Sequence, residues 1–131
     1  MEKIIQILIG VVAAEHLCFL WLEMFAWETQ GEKIFTKVFK HPLPQDLQYL
    51  FKQTKGLAAN QGLYNGFLAA GLIWTFFISD AIWKTNISIF FLTCAALAGI
   101  YGGFVGSSSD NRIFFAQALP AMIVLAFLLF K

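Results

Sequence analysis

Apolar residues fall in four long blocks along this chain, separated by short polar stretches, and each block has a span's length. The first predicts a helix over residues 4–27, long enough at 1.5 Å per residue to cross a hydrocarbon core about 30 Å thick. The others predict helices over 57–79, 87–106 and 111–130. Residues 28–56 are polar, basic and broken by Pro42 and Pro44, which makes them the one substantial loop. Within it Leu43, Leu47, Leu50 and Phe51 recur at helical spacing beside Lys52 and Lys55, so a short amphipathic helix lying on the bilayer surface is expected there. A connector with Asp80, Trp83 and Lys84 joins the second and third helices. Ser107, Ser108, Ser109 and Asp110 make the next turn, where Ser109 or Asp110 can cap the fourth helix. Pro120 inside that helix is tolerable in a membrane. The expected fold is all-α: a four-helix transmembrane bundle with a short amphipathic interfacial helix in the first loop, forming a single domain over 1–131.

Composition agrees with this class. Of 131 residues 59% are hydrophobic and only 13% charged, which suits lipid better than water. A net charge of +1 supplies no concentrated basic face, so a nucleic-acid partner is not expected. Cys18 and Cys94 lie in apolar segments without CxxC spacing and read as small buried hydrophobes. Met1-Glu2-Lys3 and the run behind it look like a signal peptide at first. Glu15, His16 and Glu23 interrupt the run and no small-residue cleavage pattern follows, so it reads as a retained helix.

Orientation follows from Lys and Arg on each face. The long loop and third turn hold Lys33, Lys37, Lys40, Lys52, Lys55 and Arg112, six in all, against Lys3, Lys84 and Lys131 opposite. The long loop is therefore expected in the cytoplasm and both termini outside. Gly62 with Gly66, Gly99 with Gly103 and Gly102 with Gly106 are spaced four apart, which lets backbones approach closely in lipid. Helices two and three are expected to cross tightly through these faces, with packing inside one subunit favoured over the alternative use in a homo-oligomer.

Ionisable residues inside a span are expensive and call for a reason. On a helical wheel with Glu15 at zero, Glu23 falls near 80°, His16 near 100° and Trp27 near 120°, so one face of the first helix holds all four. Glu15 and Glu23 lie about 12 Å apart along the axis, too far to share a proton or a metal. Helix two opens with Asn60, Gln61, Tyr64 and Asn65. Counted inward from the long loop, Glu23 and Asn60 lie at matching depth, so Glu23 and Trp27 are expected to face Asn60, Gln61 or Tyr64. Tyr101, Arg112 and Gln117 also belong to the loop-side half, whereas the far half is nearly all apolar. Together these predict a polar vestibule entered from the long-loop side, with Glu15 and His16 at its floor. Low dielectric disfavours the ionised forms of both, so either can exchange protons near neutral pH. The bland alternative is that these polar groups merely bond helices together, and Trp21 and Tyr64 can serve as interfacial anchors.

The runs Glu23-Met24-Phe25-Ala26-Trp27 and Ala58-Ala59-Asn60-Gln61-Gly62-Leu63-Tyr64-Asn65-Gly66-Phe67-Leu68-Ala69-Ala70-Gly71-Leu72, preceded by Glu15-His16, resemble those of a bacterial family of small membrane proteins known only as domain of unknown function 1304. The resemblance covers helices one and two, while helices three and four match in general character and the long loop looks diverged. It implies a four-helix inner-membrane protein and supplies no catalytic residue, cofactor or substrate. Small multidrug transporters are also four-helix proteins with a membrane-embedded Glu on the first helix, and Glu15 sits comparably. That analogy lacks an extended motif, and fold-level analogy is a poor functional warrant.

The leading expectation is a membrane protein that binds, or transports with protons, a small polar or amphipathic ligand between helices one and two. Its candidate ligand-binding residues are Glu15, His16, Glu23, Trp27, Asn60, Gln61, Tyr64 and Asn65. A membrane enzyme or redox component is the lesser expectation. No phosphate loop, zinc motif or nucleophile motif occurs, and of two histidines His41 lies in the loop, which argues against a bis-His haem. No catalytic residue, metal or cofactor is assigned. A third class is a structural subunit of a larger membrane complex.

Overall fold

The computed structural model describes residues 2–38, 47–105 and 111–130. The described residues are helical, joined by short turns, with no strand among them. Helix α1 spans Glu2–Phe25, α2 Glu32–Val38, α3 Leu47–Trp74, α4 Ala81–Val105 and α5 Asn111–Leu129. Among the described residues α1, α4 and α5 are long and apolar enough to cross a membrane, and no more than 33% of their apolar windows is buried within the chain. Most of their apolar surface therefore faces outward, an arrangement compatible with lipid and rare on a soluble monomer. α3 has 28 residues but is more polar, carrying Gln48, Lys52, Gln53, Lys55, Asn60, Gln61 and Asn65.

The chain divides into two compact units, Met1–Glu15 with Leu68–Lys131, and His16–Phe67. The core of the first is an apolar cluster of Ile5, Ile9 and Val12 of α1, Leu72 of α3, Leu92 and Ala95 of α4, and Ala121, Val124 and Leu128 of α5. Their spacings of three and four place one stripe of each helix inward. α4 and α5 approach closely because Gly99 has no side chain: a Cβ there would lie 2.5 Å from the Ala118 nitrogen. Gly103 is pressed in the same way by Phe114. These glycines thus serve the packing of α4 on α5, not the crossing of the second and third expected helices.

In the second unit the close approach is between α1 and α3. A Cβ on Gly62 would meet the Glu23 Cβ, the Leu20 carbonyl and the Met24 nitrogen, each at 3.1 Å. Gly66 faces Leu20 one turn further on.

Helix ends differ from the expected layout. α1 stops at Phe25, because Ala26 leaves helical geometry (φ −123°, ψ 15°), and Trp27–Gly31 forms a π turn in which the Gly31 N–H bonds the Ala26 carbonyl at 2.9 Å. α3 begins at Leu47, well ahead of residue 57, so Leu47, Leu50, Phe51, Lys52 and Lys55 occupy its first turns and not a separate surface helix. The physical reason is phase: buried Phe51, Ala58, Gly62 and Asn65 lie on one uninterrupted inward stripe. α4 starts at Ala81, six positions ahead of residue 87, because Asp80 caps it by accepting from the Trp83 N–H at 2.8 Å. In α5 a π turn over Phe114–Ala118 precedes Pro120, which has no N–H to give an ordinary helical turn. Cys18, expected to be buried, is exposed, and Cys94 is half-buried. Lys40, His41, Pro42, Leu43, Pro44 and Lys131 lie outside the described residues, as do Gly106, Ser107, Ser108, Ser109 and Asp110 with the expected cap of the last helix.

Candidate functional site

The His16–Phe67 unit brings a carboxylate of α1 onto an amide of α3. Asn65 Nδ2 donates to Glu23 Oε2 at 2.7 Å. Asn65 is 6% exposed and Glu23 half-buried, so the bond forms where water is scarce and counts for more than at a wet surface. Gly62 makes it reachable, because any side chain there would hold the two backbones apart. Glu23 Oε1 has no partner among the described residues, so one oxygen of an oriented carboxylate stays available to a further donor.

Beyond Glu23 the π turn redirects the chain and seats Trp27 on α3. Its Nε1 donates to Thr54 Oγ1 at 3.0 Å, and its ring lies 4.8 Å from that of Phe51. Phe35 of α2 closes the cluster edge-on, 5.7 Å from Phe51 and 6.4 Å from Trp27. An ion pair between Lys55 and Glu28 lies at the exposed rim, where such pairs contribute little.

The other candidate residues are placed differently. His16 is fully buried with its ring edge-on to Phe19, 5.8 Å between centroids. Among the described residues no buried side-chain nitrogen or oxygen lacks a hydrogen-bond partner, so His16 is held in place, not stranded. Asn60, Gln61 and Tyr64 are exposed, and Tyr64 packs beside Phe67. The partner of Glu23 is thus Asn65, in place of the expected Asn60, Gln61 or Tyr64, and the partner of Trp27 is Thr54. Glu15 is half-buried and belongs to the other unit.

Thr54 and Phe35 are contributors that motif reading did not single out, and Phe51 is expected from the sequence only as part of a surface helix. Their signal is positional. Thr54 and Asn65 are eleven residues apart on one helix, three turns and about 20° of the wheel, so a side chain at each meets the same neighbour helix.

Comparison with known proteins adds a family but no chemistry. No solved structure matches the chain. It is 30% identical over 116 residues to the uncharacterized protein YpaA of Lactococcus lactis subsp. lactis (strain IL1403), an alignment that covers 88% of this chain and 87% of that protein. A family model described as a protein of unknown function (DUF1304) matches residues 10–129, which is nearly the whole chain, and the protein therefore belongs to that family.

Proposed function

We propose that this chain is an integral protein of the bacterial inner membrane that binds a small amphipathic cation at Glu23 and couples that binding to protons. The observation that carries the reading is the Asn65–Glu23 hydrogen bond, which orients a half-buried carboxylate and leaves one of its oxygens open. A carboxylate in that setting favours either a proton or an organic cation, and exchange of one for the other is the elementary step of proton-coupled binding. Trp27, seated on α3 by the π turn with its ring against Phe51 and Phe35, would give the apolar part of the same ligand an aromatic neighbour. Glu15, farther along α1, is proposed as a second proton-exchanging carboxylate.

In this reading α3 is a fourth span. Residues 57–77 contain no Asp, Glu, Lys or Arg, and at 1.5 Å per residue they cover about 31 Å. The six Lys and Arg of the long loop and third turn, against three opposite, support an orientation with that face in the cytoplasm and both termini outside.

The test uses tetraphenylphosphonium as an amphipathic cation, titrated into purified protein at several pH values. Wild type should bind more tightly as pH rises, and Glu23→Gln should weaken binding more than tenfold while the protein melts normally. Unchanged binding by Glu23→Gln would overturn the reading. A second reading, favoured by the 3.1 Å contacts at Gly62, is that the bond only fastens α1 to α3. It predicts that Asn65→Leu lowers stability and that no cation binds wild type.

A further inference from the structure

The Met1–Glu15, Leu68–Lys131 unit contains a cavity that the site above does not use, at the end of its helices where the sequence pattern promised an almost wholly apolar half. It has a volume of about 220 Å³. Its floor is Ile5, Ile9 and Leu128, and its rim carries Glu2, Gln6, Ser79, Lys84 and Thr85. Ser88, 1% exposed at the back of the cavity, gives its hydroxyl hydrogen to the Lys84 carbonyl at 2.8 Å. Neither the Lys84 ammonium nor the Glu2 carboxylate makes an ion pair among the described residues. One cavity thus presents a cation, an anion and several hydroxyl or amide groups over an apolar base.

Gln6 lines a second, more open depression as well, shared with Lys3, Ile7, Gly10 and Phe76. Gln6 and Ile7 lie three and four residues after Lys3, and Gly10 lies four and three after them, so the four form a single stripe down α1. At Gly10 the stripe has no side chain, and the wall opposite is Phe76, whose Cζ would lie 3.6 Å from a Cβ placed there. Ile7 and Phe76 are 65% and 44% exposed, so this groove is apolar and open along its length. A polar cavity and an apolar groove therefore lie side by side, with Gln6 lining both.

We infer that this unit holds a phospholipid with a primary-amine headgroup, the headgroup in the cavity and an acyl chain along the Ile7–Gly10–Phe76 groove. Lys84 on the cavity rim and Lys3 at the head of the groove bracket the phosphate. Glu2, Gln6 and Ser79 accept from the ammonium. A phosphoethanolamine group has about eight non-hydrogen atoms and suits this volume, since benzene with six fills a cavity of about 150 Å³. Charge complementarity selects the headgroup: a quaternary choline has no N–H to donate to Glu2, and a headgroup without a cation leaves that carboxylate unanswered.

The experiment titrates dioleoyl phosphatidylethanolamine, phosphatidylcholine and phosphatidylglycerol into the full-length protein in detergent, with native mass spectrometry reading the lipid retained. Wild type should retain the ethanolamine lipid about tenfold better than the other two, a difference of about 1.4 kcal/mol. Glu2→Gln should collapse that preference, and Lys84→Met should weaken all three. Gly10→Leu should weaken them alike by filling the groove. If leucine disturbs folding, Gly10→Ala, whose methyl reaches ordinary contact with Phe76, should show a smaller loss in the same direction. Equal retention of the three lipids by wild type would overturn the proposal, as would a preference that survives Glu2→Gln. So would full displacement of the lipid by O-phosphoethanolamine at equal concentration, because the cavity alone would then be a site for a free zwitterion.

Discussion

Asn65 has two amide hydrogens and Glu23 four lone-pair sites, so the single bond between them leaves capacity on both side chains. The two groups are not equivalent to stability. Asn65→Leu removes the donor and leaves a half-buried carboxylate unanswered, which should lower stability by about 1–3 kcal/mol in a denaturation experiment in detergent. Glu23→Gln keeps an acceptor oxygen at the same reach and should melt close to wild type. A Gln variant as unstable as the Leu variant would show that Asn65 needs the charge, not merely an acceptor. Asp80 acts on a smaller scale, since its carboxylate satisfies the Trp83 N–H at the start of α4. Asp80→Ala should cost about 1 kcal/mol in the same measurement, and Asp80→Asn distinctly less. Of these residues only Glu23 stands out in the sequence by its chemistry, as a charge in an apolar run. Asn65 is one of four polar residues at the head of the second apolar block, and nothing in its type separates it from Asn60 or Gln61.

What separates them is the helix they share. Phe51, Ala58, Gly62, Asn65, Ala69 and Leu72 are buried and follow one another at intervals of seven, four, three, four and three, a seven-residue repeat with Asn65 on its seam. Asn60, Gln61 and Tyr64 are off the seam and exposed. The information is therefore present in α3: Ala58 to Leu72 carry the repeat within residues 57–79, and taking the helix from Leu47 extends it back to Phe51. The four apolar blocks are easy to recognise because lipid and core both favour long apolar helices. The π turns after Ala26 and before Pro120 are not encoded by hydrophobic period: the second goes with the missing N–H of Pro120, and the first sets Trp27 against Phe51. Glycine spacing behaves likewise: it marks close approach without naming the partner, and Gly99 turned out to face Ala118. Gly99→Leu would put a side chain into the Ala118 backbone, so it should lower stability by more than the roughly 1–3 kcal/mol usual for overpacking, read in the same denaturation measurement. Alanine at the same position should fall within that range. Near-native melting of Gly99→Leu would mean that α4 and α5 can part without loss.

For the whole molecule the decisive element is again α3, because it alone connects the Lys-rich loop to the turn before α4, the helix whose first turn carries Lys84. Among the described residues three helices meet the length and apolarity needed for a span, and with three spans the two segments flanking α3 would share a side. With α3 as a fourth span they lie on opposite sides. Its polar residues do not forbid this: Asn65 is satisfied by Glu23, and Leu57, Leu63, Phe67, Ile73 and Phe77 turn outward with exposures from 36% to 79%. No charge interrupts residues 57–77. The two native cysteines can be replaced by serine, and single cysteines introduced as Lys33→Cys before α3 or Lys84→Cys after it. In intact cells a membrane-impermeant maleimide should label the Lys84→Cys protein and leave Lys33→Cys untouched until the membrane is opened. Labelling of both from outside, or of neither, would place the flanks on one side and make α3 a surface helix. Labelling of Lys33→Cys alone would keep the fourth span and reverse the orientation, which would mean that six positive residues against three do not decide the direction of insertion.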